Sequence, residues 1–108
     1  MTYSLFLDDV RDPPHGSYIV ARSFLEAVKT VRRRGIPFHI SFDHDLGPEK
    51  NGHDFAWWLV HYILDGYGAL PDNFTYTIHS ANPVGRDNIK GLLDNFLVHL
   101  GRLTDERK

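Results

Sequence analysis

Short apolar runs and longer stretches of helical spacing alternate along this chain. Residues 4–8 read as a buried strand, apolar and ended by carboxylates. Asp12-Pro13-Pro14-His15-Gly16 is confined to extended or turn geometry by its prolines. Residues 18–22 read as a second strand. Ser23, with Glu26 three residues on, has the form of a capping box. Phe24, Leu25, Val28 and Val31 supply the apolar face of the helix it opens, and Gly35 ends that helix. Residues 38–43 form a third strand. Pro48 to Asn51 make a turn, with Asn51 as N-cap and Asp54 at N3. Phe55, Trp58, Leu59, Tyr62 and Ile63 then keep helical spacing to about Asp65, and Trp57 falls off that stripe. After a loop over 66–72, residues 74–79 read as a fourth strand. Asn82-Pro83 begins the last helix, with proline at its first position. Its apolar stripe is Ile89, Leu92, Leu93, Phe96, Leu97 and Leu100. Thr104 to Lys108 read as a frayed tail.

This alternation predicts an α/β fold, a mostly parallel sheet of about four strands flanked by helices, in a single domain over residues 1–108. One joint is short: residues 9–17 are fewer than the roughly dozen that a parallel crossover takes. The second strand is either a parallel edge strand reached through an extended loop or an antiparallel one. The parallel arrangement is preferred, because it lets the next strand deliver Asp43 to a shared edge. In such sheets ligands bind outside the carboxyl ends of the strands.

Composition narrows the function classes. Hydrophobic residues make up 42% and charged residues 24%, a globular balance. The absence of cysteine excludes a disulfide framework, a thiolate zinc site and a cysteine nucleophile, and suits a cytoplasmic location. A net charge of -2 gives no overall basic field for nucleic acid. Arg32-Arg33-Arg34 reads as a charge cluster at a helix C-terminus. The first residues lack the pattern of a signal peptide. The longest apolar stretch, Phe55 to Leu64, is broken by His61 and too short to span a membrane.

The chemistry gathers at the strand ends. Ser41-Phe42 runs into Asp43-His44-Asp45-Leu46-Gly47, two carboxylates flanking an imidazole. Leu5-Phe6-Leu7 runs into Asp8-Asp9, and Thr77-Ile78 into His79-Ser80-Ala81-Asn82. Like charges at the end of a buried strand need a cation or a shared proton. Asp8, Asp9, Asp43 and Asp45 therefore make an oxygen-rich candidate site for Mg²⁺, or for Mn²⁺ where imidazole contributes. Beside carboxylates, His44 and His79 are candidates for general acid–base work or ligation. Ser80 and Asn82 stand where helix N-terminal N–H groups favour anions, and they read equally as caps of that helix. Arg11, Arg22 and Arg86 lie near the strand ends and have the geometry to hold phosphate oxygens.

A carboxylate pair after strand one, an aspartate after strand three and a hydroxyl after strand four resemble the receiver domains of two-component signalling. The resemblance implies a three-layer α/β/α, flavodoxin-like arrangement, truncated here. Asp8 and Asp9 would hold the metal, Asp43 would accept phosphate and Ser80 would be the hydroxyl. A receiver also has a fifth strand ending in lysine, which nothing here matches. A closer resemblance is to the cyclic-phosphate processing receiver domain family. It is carried by Leu5 to Pro14, Ser41 to Gly47, Gly52-His53-Asp54 and His79 to Gly85, and spans about residues 4–95. It implies work on phosphate termini, in RNA repair or nucleotide signalling.

Together these readings point to a metal-dependent phosphoesterase acting on a cyclic phosphate of a nucleotide or RNA terminus. Asp8, Asp9, Asp43 and Asp45 are the metal candidates; Asp43, His44, His79 and Ser80 the catalytic ones; Arg11, Ser80 and Asn82 the substrate-binding ones. Asp43 is either a ligand or a transient nucleophile, and the sequence does not choose between Asp43 and Asp45 for either role. The alternative is a non-catalytic module that binds a phosphate ligand or a protein. The expected partner is a phosphorylated small molecule, nucleotide or RNA end, with no membrane; an uncovered sheet edge would allow a homodimer.

Overall fold

Strand order in the sheet decides which of these residues meet. The computed structural model describes residues 3–47 and 50–102. Four strands, β1 (Ser4–Leu7), β2 (Tyr18–Ala21), β3 (His39–Phe42) and β4 (Thr75–Ile78), are joined in the order β2-β1-β3-β4, and every pairing is parallel. Three helices accompany them: α1 (Phe24–Arg34), α2 (Gly52–Leu64) and α3 (Pro83–His99). The fold is the receiver-like parallel α/β sheet that the pattern predicts.

The short joint is bridged without a helix. Arg22, just beyond β2, donates through Nη1 to the carbonyls of Asp8 (3.4 Å) and Arg11, and through Nη2 to Asp12 Oδ1 (2.6 Å). One guanidinium thus staples the Pro-rich loop over the top of β2, which makes a parallel second strand feasible across so short a connection.

The step from β2 to β3 and the step from β3 to β4 run in the same direction across the sheet. Right-handed crossovers then put α1 and α2 on one face. α3 shares its apolar stripe with the same core, so all three helices cover one side. Alternating strand residues Leu5, Leu7, Ile40 and Phe42 are fully buried there against Val31, Phe55, Leu59 and Ile89. In a full receiver, the helix after strand one lies on the opposite face. Here that connection is a loop, so among the described residues the sheet has a single helical layer rather than the two of a three-layer receiver. The other face carries Ser4, Phe6, Tyr18, His39, Ser41, Thr75 and Thr77 in matched register.

The helix signals operate with two differences. Ser23 Oγ accepts from Glu26 N at 3.1 Å, but Glu26 Oε1 accepts from Arg22 N at 2.8 Å, so the reciprocal bond falls one residue early. At Asn51 the capping box with Asp54 is complete. Leu25, expected on the apolar face of α1, is 57% exposed; helical phase turns it outward, and Ala27, Val28, Thr30 and Val31 are the buried residues. In the last helix Ile89, Leu93 and Phe96 are buried, whereas Leu100 lies just past the helix end and at its surface. Trp57 is exposed, as its position off the stripe predicts. The predicted tail, Thr104 to Lys108, and Pro48 and Glu49 of the predicted turn lie outside the described residues. No helix of the described residues is long and apolar enough to cross a membrane.

Candidate functional site

The hydrogen-bond ladder continues one residue past three strand ends. Asp8 N donates to Ala21 O (3.1 Å), Asp43 N to Leu7 O (2.9 Å) and His79 N to Phe42 O (2.9 Å). This places Asp8, Asp43 and His79 side by side on the face away from the helices. Each offers a ligand atom, and these atoms all lie within 4.8 Å of one another.

Asp8 is the hub and is fully buried. Its Oδ1 accepts from Val10 N (2.9 Å) and Arg11 N (2.8 Å). Its Oδ2 meets His79 Nε2 at 2.9 Å and Arg11 Nε at 3.2 Å. Burial pushes the Asp8 carboxyl up, but the Arg11 and Val10 amides, His79 and the Arg11 guanidinium together hold it below its usual range. Asp8 is thus an anion that accepts only, so His79 Nε2 carries the proton. Ser41 Oγ then donates to His79 Nδ1 at 2.7 Å, and Thr77 Oγ1 donates to Ser41 Oγ at 3.2 Å. Phe6 stacks on the His79 ring with centroids 4.5 Å apart. The imidazole is fixed at both nitrogens and on one face.

Asp43 is buried and differently placed. Burial and the charge of Asp8 raise its pKa, against opposing pulls from Arg11, the Asp45 amide and His79. Arg11 Nη2 lies 3.9 Å from Asp43 Oδ1, and Arg11 Nη1 donates to His79 O at 3.2 Å. The guanidinium therefore spans Asp8, Asp43 and His79, while its side chain stays half exposed.

The remaining predicted residues fall into a second group. Asp45 is exposed; its pKa is lowered by its bond to His44, 2.9 Å away, and by one from the Asn82 side chain. Asn82 Oδ1 caps α3 through Gly85 N (3.0 Å), and buried Ser80 Oγ accepts from Asn82 N (3.1 Å). Ser80 and Asn82 thus shape the turn into α3. The His44 ring packs against Gly85, where an added Cβ would stand 2.2 Å from it. Asp9 and Asp45 stand outside the close donor group of Asp8, Asp43 and His79.

Four participants escaped the sequence reading. Ser41 and Thr77 hold His79, and Phe6 stacks on it. Gly52 allows α2 to start against β3: a Cβ there would lie 2.0 Å from the Asp43 carbonyl oxygen. A serine in the middle of the apolar run Phe38 to Phe42 was the available signal for the first of these.

A solved structure described as the yeast Spc42 trimeric coiled coil, amino acids 181–211, fused to another structure is similar to this chain at 17% identity and a TM-score of 0.56. The match covers 84% of this chain and 63% of that one, and at this identity the likeness is one of fold. No curated protein matches the sequence. The family model of the cyclic-phosphate processing receiver domain matches residues 3–95. That span includes all four strands and every residue of the cluster just described, and the chain belongs to this family.

Proposed function

We propose that the protein is a phosphoesterase that opens a cyclic phosphate at the end of a nucleotide or RNA. The observation that carries this reading is the single guanidinium of Arg11 held between two buried carboxylates and the backbone carbonyl of His79, whose ring is anchored at both nitrogens. Arg11 reaches the site from a loop, so its exposed edge is available to phosphate oxygens. Asp43, its pKa raised by burial, takes the proton of an attacking water. His79, held between Asp8 and Ser41, is placed to pass a proton to the leaving hydroxyl. Water adds to phosphorus, one phosphorus–oxygen ester bond breaks, and the product is a phosphomonoester and a free hydroxyl.

The donor set fits a divalent cation. Two buried carboxylates and an imidazole converge, and burial first, then the charge of Asp8, raises the pKa of Asp43. In a metal-loaded form Asp8, Asp43 and His79 would hold Mn²⁺ or Mg²⁺ in place of the base and acid roles above, His79 giving up its Nε2 proton, and the ion would neutralise charge and polarise a phosphoryl oxygen. A second reading is phosphate binding without turnover. It is favoured by Asp8, each of whose oxygens already receives two donors within the protein.

The test is product release from 2′,3′-cyclic nucleotides, 3′,5′-cyclic nucleotides and RNA with a cyclic-phosphate end, with Mg²⁺, Mn²⁺ or chelator. Turnover that disappears in Asp43→Asn supports the enzyme. Binding without turnover selects the second reading, and turnover unchanged in Asp43→Asn rules out the site.

A further inference from the structure

The face of the sheet away from the helices is lined with rings that lead outward from the phosphate cluster. Phe6 stacks on His79, and Tyr18 meets Phe6 edge-on at 5.6 Å. His15 lies over Tyr18 at 5.0 Å and a 30° tilt, and His39 flanks Tyr18 at 6.2 Å. Beside this row the Thr75 and Thr77 hydroxyls reach His39 Nδ1 (2.8 Å) and Nε2 (3.5 Å). Thr75, Thr77 and His15 are exposed, and Tyr18 and His39 are half-buried.

A face meant to be sealed under a helix would lack the hydroxyls and imidazoles found here, as the strand residues Leu5, Leu7, Ile40 and Phe42 of the opposite face do. Rings interleaved with hydroxyls instead suit a flat, polar-edged ligand. Stacking on aromatic and imidazole rings, with hydrogen bonds to base edges and ribose, is how sheet faces hold unpaired nucleotides. The loop between β1 and β2 carries both Arg11 at the phosphate cluster and His15 at the ring row, so the two are tied together. A net charge of -2 and a single arginine at the cluster suit one terminal nucleotide rather than a long tract of backbone.

We propose that this face is a nucleobase platform, on which His15, Tyr18 and His39 stack the base of a terminal nucleotide whose phosphate lies at Arg11. The inference rests on the phosphate reading above and adds which residues hold the base of that nucleotide.

Calorimetry would compare adenosine 2′,3′-cyclic phosphate with ethylene phosphate, a cyclic phosphate without base or ribose. The panel is the wild type, Arg11→Ala, His15→Ala, Tyr18→Ala and Tyr18→Phe, with thermal melts as the folding control. The nucleotide is expected to bind about tenfold or more tightly than ethylene phosphate. Tyr18→Ala and His15→Ala are expected to erase that advantage while leaving ethylene phosphate binding unchanged, and Tyr18→Phe to keep it. Because His15 is exposed, its variant tests the platform even if Tyr18→Ala unfolds. Equal affinity for the two ligands, or equal weakening of both in the ring variants, overturns the platform and leaves the phosphate reading intact. Ethylene phosphate binding indifferent to Arg11→Ala, or no binding of either ligand, overturns both.

Discussion

His79 donates through Nε2 to the Asp8 carboxylate at 2.9 Å, across 71 positions of sequence. The bond ties the last strand to the first over the intervening β3, so the candidate site closes only when the whole sheet has formed. Its pH dependence follows from the carboxylate. The folded pKa of Asp8 lies below the ordinary 3.8. Ionised Asp8 therefore stabilises the fold above the unfolded value, and this contribution is lost as pH falls through the folded one. Asp8→Asn is expected to cost about 3 kcal/mol at neutral pH, because it leaves buried donors without their acceptor. Urea melts across acid pH would show the gap between variant and wild type closing below the unfolded pKa; a constant gap would refute the ionic role.

Asp43 works with the opposite sign. Its folded pKa is raised, so its ionisation costs stability as pH rises from 3.8 through the folded value. Asp43→Asn should gain about 1 kcal/mol at pH 7 while losing catalysis. The gain should vanish near pH 3, where the wild-type carboxyl is protonated. Paired melts at the two pH values check this, and a destabilised variant at pH 7 would count against it.

Arg11 is expected to be the phosphate's main cation. Arg11→Ala should weaken phosphate binding about tenfold or more, and Arg11→Lys should restore only part, because an ammonium lacks the planar fork that bridges two oxygens. Titration of inorganic phosphate against the three proteins measures this directly. Equal affinities would remove Arg11 from the site.

Two glycines set how closely elements approach the site. Gly52→Ala would drive a methyl into the Asp43 carbonyl, and Gly85→Ala would drive one into the His44 ring. The first pushes on backbone and should cost about 1–3 kcal/mol. The second meets a side chain that can rotate, so it should shift the His44 ring resonances more than it lowers the melting temperature. Melts and NMR spectra of the two variants separate these outcomes.

The strand ends were legible because an apolar run that stops at carboxylates marks where a buried strand reaches the polar rim of its sheet. The helix starts at Ser23, Asn51 and Asn82 were legible because their caps act locally. What stayed hidden depends on packing. Neighbouring residues on a strand point to opposite faces, so choosing Asp8 over Asp9 needed the ladder bond from Asp8 N to Ala21 O. The roles of Ser41 and Thr77 depended on knowing which face the helices leave uncovered. Leu25 misled because its helix is short and one residue of phase decides its exposure. The reach of Asn82 to Asp45 crosses two loops, and no spacing in the sequence records it.

The sheet acts as a partition. On one side Leu5, Leu7, Ile40 and Phe42 are enclosed; on the other Phe6, Ser41, Thr77 and His79 carry the polar apparatus. Consecutive residues of one strand thus answer to different demands, odd positions of β1 to cohesion and even ones to chemistry. Inserting or deleting one residue in β1 would exchange the two sides, sending Asp8 into the oily layer and a leucine toward His79. Such a frame change would leave composition and helix caps almost untouched, yet undo the site and the interior together.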